Sequence, residues 1–337
     1  MAENRRIDCP DCLDEMTRRE FTKAIGGAAV VVGGLLPTIG GRIAAAAEAG
    51  QGPSPTSAAE TAAGRLFKSL SDEQREILCF PFDHNLRRRI SANWAITEPT
   101  IGDLNTEQQK LVEEIFQGVP SPDGYERFLK QMDDDSGGFP EYHIAMFGEP
   151  GSSDGFEFTM TGRHLTARAD GNSTPGAAFG GPIIYGHGAG NGQAGLPGNV
   201  FYYQTQQANE VFKALDGKQR EKALVSKAPP EARVPVQGES GSFPGIDVSE
   251  LSSDQKELVE KVIRIILAPY REEDVDEAMA ILKDGGGLDA LHMAFYEEQD
   301  LGSDQEWDLW RLEGPTFVWH FRGAPHVHAY VNIAKKA

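Results

Sequence analysis

Two kinds of periodicity alternate along this chain, and the alternation occurs twice. Apolar positions at helical spacing come first, at Leu111 and Ile115, and again at Leu258, Val262, Ile265 and Ile266. After His143 the period shortens to two. Phe156, Phe158 and Met160 alternate with polar residues, and Phe317, Trp319 and Phe321 do the same later on. Helix starts are marked too. Ser71 and Ser252 or Ser253 stand where an N-cap would accept from free backbone N–H groups, and Pro122 suits a first helical turn. Helices followed by an antiparallel β-meander predict an α+β fold rather than a doubly wound one.

The two runs share residues as well as period. Phe67-Lys68-x-Leu70 with Gln74-Arg75 returns as Phe212-Lys213-x-Leu215 with Gln219-Arg220. Leu104-x-x-x-Gln108-x-x-Leu111 returns as Leu251-x-x-x-Gln255-x-x-Leu258, and His143-x-Ala145-x-Phe147-x-Glu149 as His292-x-Ala294-x-Tyr296-x-Glu298. Order and separation are kept, which predicts two tandem pseudo-symmetric repeats forming one compact unit. The expected divisions are a first α+β repeat over 65–170, a Gly-rich inter-repeat loop over 171–206 and a second repeat over 207–337.

Upstream, Thr17-Arg18-Arg19-Glu20-Phe21-Thr22-Lys23 precedes a Gly- and Ala-rich apolar segment, the pattern of a twin-arginine export signal. That segment is too short and too rich in Gly for a spanning helix of roughly 20 apolar residues. Ala45-Ala46-Ala47 and Ala47-Glu48-Ala49 each offer a cleavage pattern. The expectation is a signal peptide over 1–47 and a flexible tether over 48–64. Its partner would be the twin-arginine export machinery, its destination periplasmic or extracytoplasmic, with no stable membrane insertion after cleavage. Cys9 and Cys12 would leave with the signal. Cys79 then has no partner for an internal disulfide and reads as a small buried hydrophobe. The net charge of -19 argues against nucleic acid and anionic lipid as partners.

Two familiar patterns fail on context. Gly190-x-Gly192-x-x-Gly195 has no strand entering it and meets Pro197 where a helix should run. Gly151-x-Ser153-x-Gly155 sits between two strands, as a hairpin turn does. The histidines carry more. His326 and His328, two apart on an alternating segment, share a face about 6–7 Å apart and can bind one ion in cis. His164 and His187, the latter in Tyr185-Gly186-His187-Gly188, would complete the ligand set, and Glu149 would supply an oxygen ligand or a general base. Such donors suit a divalent transition metal such as zinc, copper or iron. His143 and His292, at equivalent places in the two runs, read as structural. A second constellation is Asp83 beside His84, ahead of Arg87-Arg88-Arg89 and Trp94. Asp83, Trp94 and Tyr185 are therefore candidate ligand contacts, with a solvated turn as the alternative. The resulting expectation is a metal-binding protein with metal-dependent hydrolase activity. A metal-dependent oxidoreductase and a non-catalytic binder of metal or small ligand are the alternatives.

Phe80-Pro81-Phe82-Asp83, Asn93-Trp94, Phe147-Gly148-Glu149-Pro150, Gly162-x-His164-Leu165-Thr166, Gly314-Pro315-Thr316-Phe317 and His326-x-His328 together resemble the bacterial domain of unknown function 3500 family. The resemblance implies no established activity. It does imply that His164 and the His326-x-His328 pair belong to the family's recurring pattern. Members often carry a second histidine where Arg163 stands here, and a basic residue where this chain reads Glu98-Pro99-Thr100.

Overall fold

Four helix starts are set by one device. Ser71, Asn105, Asp216 and Ser252 each cap a helix whose third residue is glutamine, and that glutamine reaches back to the cap backbone N–H. The glutamines then meet in pairs. Gln74 and Gln108 exchange amide hydrogen bonds at 2.9 and 2.8 Å, and Gln219 and Gln255 do so at 3.0 and 2.7 Å. Each amide therefore fixes a helix start and ties one helix to another. The recurring Phe and Arg have the same role in both runs: Arg75 donates to the Phe67 carbonyl and lies over its ring, as Arg220 does with Phe212.

The computed structural model describes residues 52–188, 198–298, 300 and 306–335. The expected signal, its cysteine pair and the Gly190 pattern lie outside these residues. The helices are α1 (Ala58–Ser69), α2 (Asp72–Leu78), α3 (Thr106–Gln117), α4 (Pro122–Ser136), α5 (Tyr202–Ala214), α6 (Gly217–Ala223), α7 (Ser253–Leu267) and α8 (Glu272–Asp284). The strands of the first run are β1 (Cys79–Phe80), β2 (His143–Gly148), β3 (Phe156–Gly162), β4 (Leu165–Ala169) and β5 (Ile183–His187). Those of the second are β6 (Leu224–Val225), β7 (Ile246–Asp247), β8 (His292–Tyr296), β9 (Leu309–Gly314), β10 (Phe317–Arg322) and β11 (Val327–Ile333). They form one mixed sheet in the order β1-β2-β3-β4-β5-β11-β10-β9-β8-β6, with β7 beside β8. Only β1–β2 and β6–β8 pair parallel. The protein is thus a mixed α/β fold on a single, largely antiparallel sheet.

Alternation sorts the sheet's two faces. Met160, Tyr185, Val327, Trp319, Leu312 and Phe295 point into the main core, shared with the apolar sides of the helices. The opposite face is roofed by chain from 81–100 and 226–245, which packs small clusters such as Trp94 with Phe147 and Val234 with Tyr330. Between these clusters the roofed face buries ion pairs. Arg168 meets Glu157, which also holds Arg87 at 3.0 Å, so the arginine triplet is partly spent on the protein's own carboxylates.

Two expected boundaries shift. The segment 171–206 is not a loop throughout: β5 lies within it and pairs antiparallel with β4 on one side and β11 on the other. All five residues of β5 are buried, and a strand covered on both faces shows no alternation to read. The expected tether over 48–64 holds all of the first half of the 12-residue α1, whose Ala59, Ala62 and Ala63 are buried in the main core with Leu66. Cys79 is only half-buried, at the junction of α2 and β1.

Candidate metal centre

The turn between β3 and β4 has two residues, Arg163 and His164, between the paired Gly162 and Leu165. His164 adopts a left-handed backbone, φ 56°, uncommon for a non-glycine residue and in need of support. The support is specific. The His164 N–H donates to the Ala92 carbonyl at 2.6 Å, while the Tyr142 hydroxyl and the Gln131 amide donate to the Arg163 carbonyl at 2.7 and 3.1 Å. The Tyr142 ring lies where any side chain at Gly162 would project, 2.3 Å from an added Cβ. The turn is clamped, and the His164 ring is carried under the roofed face, fully buried.

His326 and His328 arrive from the other run, at the start of β11. His328 pairs in register with Arg322 of β10 and with Gly186 of β5. The three rings gather at centroid separations of 4.9, 5.0 and 4.6 Å. One ring nitrogen from each lies within 4.8 Å of the others, and all three residues are buried.

Hydrogen bonding fixes which nitrogen His164 and His328 present, while His326 Nε2 lies 3.3 Å from Arg322 Nη2. His164 Nδ1 donates to Asp135 at 2.6 Å, leaving its buried Nε2 without a partner. His328 Nδ1 donates to Glu231 at 2.9 Å, leaving its Nε2 facing His326 Nε2 at 2.9 Å. Two lone pairs so placed repel unless a proton or a cation lies between them. A carboxylate behind an imidazole is the arrangement that fixes tautomer and raises basicity in histidine metal ligands. Burial, then the neighbouring His328 and the Arg322, His164 and Arg163 charges, push the His326 pKa far down. Burial and the Arg322, His164 and Arg163 charges do the same for His328. Both rings stay neutral at ordinary pH, so no proton competes for their lone pairs.

Arg322 leans on the cluster. Its Nη1 is 3.1 Å from Glu231, and its Nη2 is 2.8 and 3.2 Å from the two ring nitrogens of His328. Distances that similar to atoms on either side of one ring carbon place Nη2 over the imidazole rather than in its plane. The in-plane lone pair of His328 is therefore not taken by Arg322.

Asp135 and Glu231 escaped the sequence reading. Asp133, Asp134 and Asp135 occupy the last turn of α4, where the helix dipole disfavours anions by about 0.3–1 kcal/mol each. That mismatch was the available signal. Asp135 also accepts from Gln131 and from the Gly188 N–H, and a Cβ at Gly188 would come within 2.5 Å of it. Burial pushes the Asp135 carboxyl up, but the hydrogen bond and charge of His164, with the Gln131 amide, outweigh it and hold it below the usual range. Glu231 sits in an irregular segment with no sequence mark.

Of the other expected site residues, none joins the cluster. His187 is buried nearby, but both ring nitrogens are engaged: Nδ1 accepts from the Val200 N–H at 3.0 Å and Nε2 donates to Asp134 at 3.1 Å. No lone pair remains for an ion. Its register partner is Val327, so its side chain takes the helix side of the sheet. Glu149 follows the end of β2 that pairs with Phe156, whereas His164 follows Gly162 at the other end of β3. That places them roughly 20 Å apart along the strands; Glu149 is exposed and cannot serve as base there. Tyr185 is a core residue whose hydroxyl donates to Gln204. Trp94 is buried and donates to Thr166 at 3.1 Å. Asp83 is exposed on the 81–100 segment. His143 is held at 3.0 Å from the Pro99 carbonyl, as a structural residue would be.

No curated protein and no solved structure matches this chain. A family model described as "Protein of unknown function (DUF3500)" matches residues 53–334, nearly all of the described chain and both halves of the histidine cluster, and the protein belongs to that family.

Proposed function

We propose that the protein binds a divalent transition metal through His164, His326 and His328. The observation that carries this reading is the convergence of three buried imidazoles with lone pairs facing one another and two of them backed by carboxylates. Three imidazole nitrogens leave a bound ion at least one open position, and an ion there acidifies a bound water. Arg163 and Arg322 add positive charge beside the cluster, which favours hydroxide or another anion in that position. Hydrolysis at such a water is the reaction class this supports, without Glu149 as base. Metal binding without catalysis is the second reading, favoured by burial of all three histidines to 3 % exposure or less.

Metal content by mass spectrometry tests it, on mature protein purified without chelator or affinity histidines. Close to one equivalent is expected in the parent, and none in His326→Ala/His328→Ala. A parent that carries none and takes up none on reconstitution overturns the reading.

The reading includes export by the twin-arginine route, supported by Arg18-Arg19 and the apolar segment after them. Replacing both arginines with lysine should strand the protein in the cytoplasm on fractionation; unchanged delivery would exclude that route. We infer also that the chain is an internal duplication. The support is the paired glutamines, the Arg–Phe contacts and the matching succession of elements on either side of β5 and β11. Relatives that retain only one glutamine pair would count against it.

A further inference from the structure

At one edge of the sheet, β1 places Phe80 beside Phe147, and Phe82, Leu86 and Trp94 pack over the pair. At the other edge, β6 places Val225 beside Tyr296 in the same parallel register. There the covering residues are small. Ala228 packs on Tyr296, and with Pro229, Pro235 and Pro244 it lines a cavity of about 420 Å³, a size that takes a small organic molecule. Prolines fix their own φ, so little of the wall needs ordering when a ligand enters.

The polar groups of this cavity are out of balance. Tyr296 is fully buried and lines it, yet its hydroxyl has no hydrogen-bond partner. A buried hydroxyl left unmade costs about 1–3 kcal/mol, and the matching residue at the other edge, Phe147, has none to satisfy. Behind it, His320 Nδ1 accepts from Arg311 Nε at 3.2 Å, which puts the ring proton on Nε2, also buried and unpartnered. The lining charges are Lys227, Arg233 and Arg311 against Glu313 alone. Glu313 is engaged by Gln237 at 2.8 Å and Arg311 at 3.5 Å. Lys227 and Arg233 are exposed at the rim and, among the described residues, form no ion pair. In a chain of net charge -19, a cavity with cations in excess and an orphaned hydroxyl on a lining residue is arranged for an anion.

We propose that this cavity binds a small organic carboxylate. Its apolar body lies against the proline wall, and its carboxylate accepts from the Tyr296 hydroxyl and meets the charges of Arg233 and Lys227. None of the three cluster histidines lines the cavity, so the site is separate from the candidate metal centre. The two share one segment, in which Glu231 lies between Pro229 and Arg233.

Calorimetric titration of the whole mature protein tests this, with benzoate and hexanoate as probes and benzamide and hexanol as their neutral counterparts. Both carboxylates should bind, and the neutral counterparts at least about tenfold more weakly, as expected for a hydrogen bond to a charged group. Lys227→Ser/Arg233→Ser alters exposed side chains only and should weaken binding about tenfold. Tyr296→Phe, which copies the residue at the other edge, should weaken it by a similar factor. Protein stripped of metal by a chelator should bind both carboxylates unchanged; loss there would assign binding to a metal instead and overturn the proposal. No binding of either probe at millimolar concentration, or equal binding of the neutral counterparts, would also overturn it.

Discussion

A proton on one nitrogen or the other decides what each histidine here can do. His164 and His328 give their Nδ1 protons to Asp135 and Glu231, and so present bare Nε2 atoms; His187 spends both nitrogens. Asp135→Asn should therefore lower metal affinity about 10–100-fold, read by competition with a chromogenic chelator, while melting stays near the parent's. His187→Ala should keep the metal equivalent but lose about 2–4 kcal/mol in urea unfolding, because it opens a cavity and strands the Val200 N–H. Equal loss of metal in both variants would contradict this division. At this scale the sequence was half readable. His326 and His328 stand two apart on a strand, so their shared face follows from the pleat. Asp135 follows from nothing but its awkward place at a helix C-terminus, and Glu149 misled because a repeated motif says nothing about which end of a strand reaches a site.

Among the elements, α8 carries a burden that α4 does not. Arg271, at its N-cap, is held by Glu60 of α1 through two nitrogens at 3.1 and 2.8 Å and by Asp274 at 2.7 Å. Two further carboxylates stand close by. Burial, then the Asp170 and Asp274 charges, push Glu277 up to about 7, and burial with the Glu157 and Glu60 charges pushes Asp170 up to about 6. Burial also raises Asp274, against the pull of Arg271. Because these folded pKa values exceed the unfolded ones, their contribution is complete below about pH 4 and is lost as pH rises through 6 to 7. Glu277→Gln should raise the unfolding free energy from urea titration at pH 8 by about 1–2 kcal/mol and leave little gain at pH 5. A gain independent of pH would refute the assignment. Arg271→Met should cost about 3–5 kcal/mol by leaving Glu60 and Asp274 buried without a cation. Helices α2, α3, α4 and α7 were readable from caps and spacing, but α1 and α8, the two of this arrangement, have no side-chain cap and were not. β5 was not, since Ile183, Ile184 and Tyr185 are covered on both faces and carry no alternation.

For the whole molecule, the decisive joint is β5 against β11, five register pairs from Val327–His187 to Val331–Ile183 at the middle of the sheet. Neither run closes the sheet alone, and the main core includes side chains from both. Far-ultraviolet dichroism and tryptophan fluorescence should therefore report one coincident unfolding transition; separated transitions would mean the runs fold independently. The double pattern in the sequence was the ground for expecting two similar runs. It could not foretell how they join, because that depends on a pairing between segments 140 (327 minus 187) to 148 (331 minus 183) positions apart.

His164 and His326 stand 162 positions apart (326 minus 164), yet their rings touch only across that finished joint. During synthesis, the chain offers an ion no three-histidine set until residue 328 has been made, and even then only the local His326 and His328 pair until the joint closes. An ion bound as proposed would be chosen late, by whatever compartment the protein occupies when folding ends. For a chain sent out folded, that choice would fall to the cytoplasm, and the metal found outside would record the supply inside.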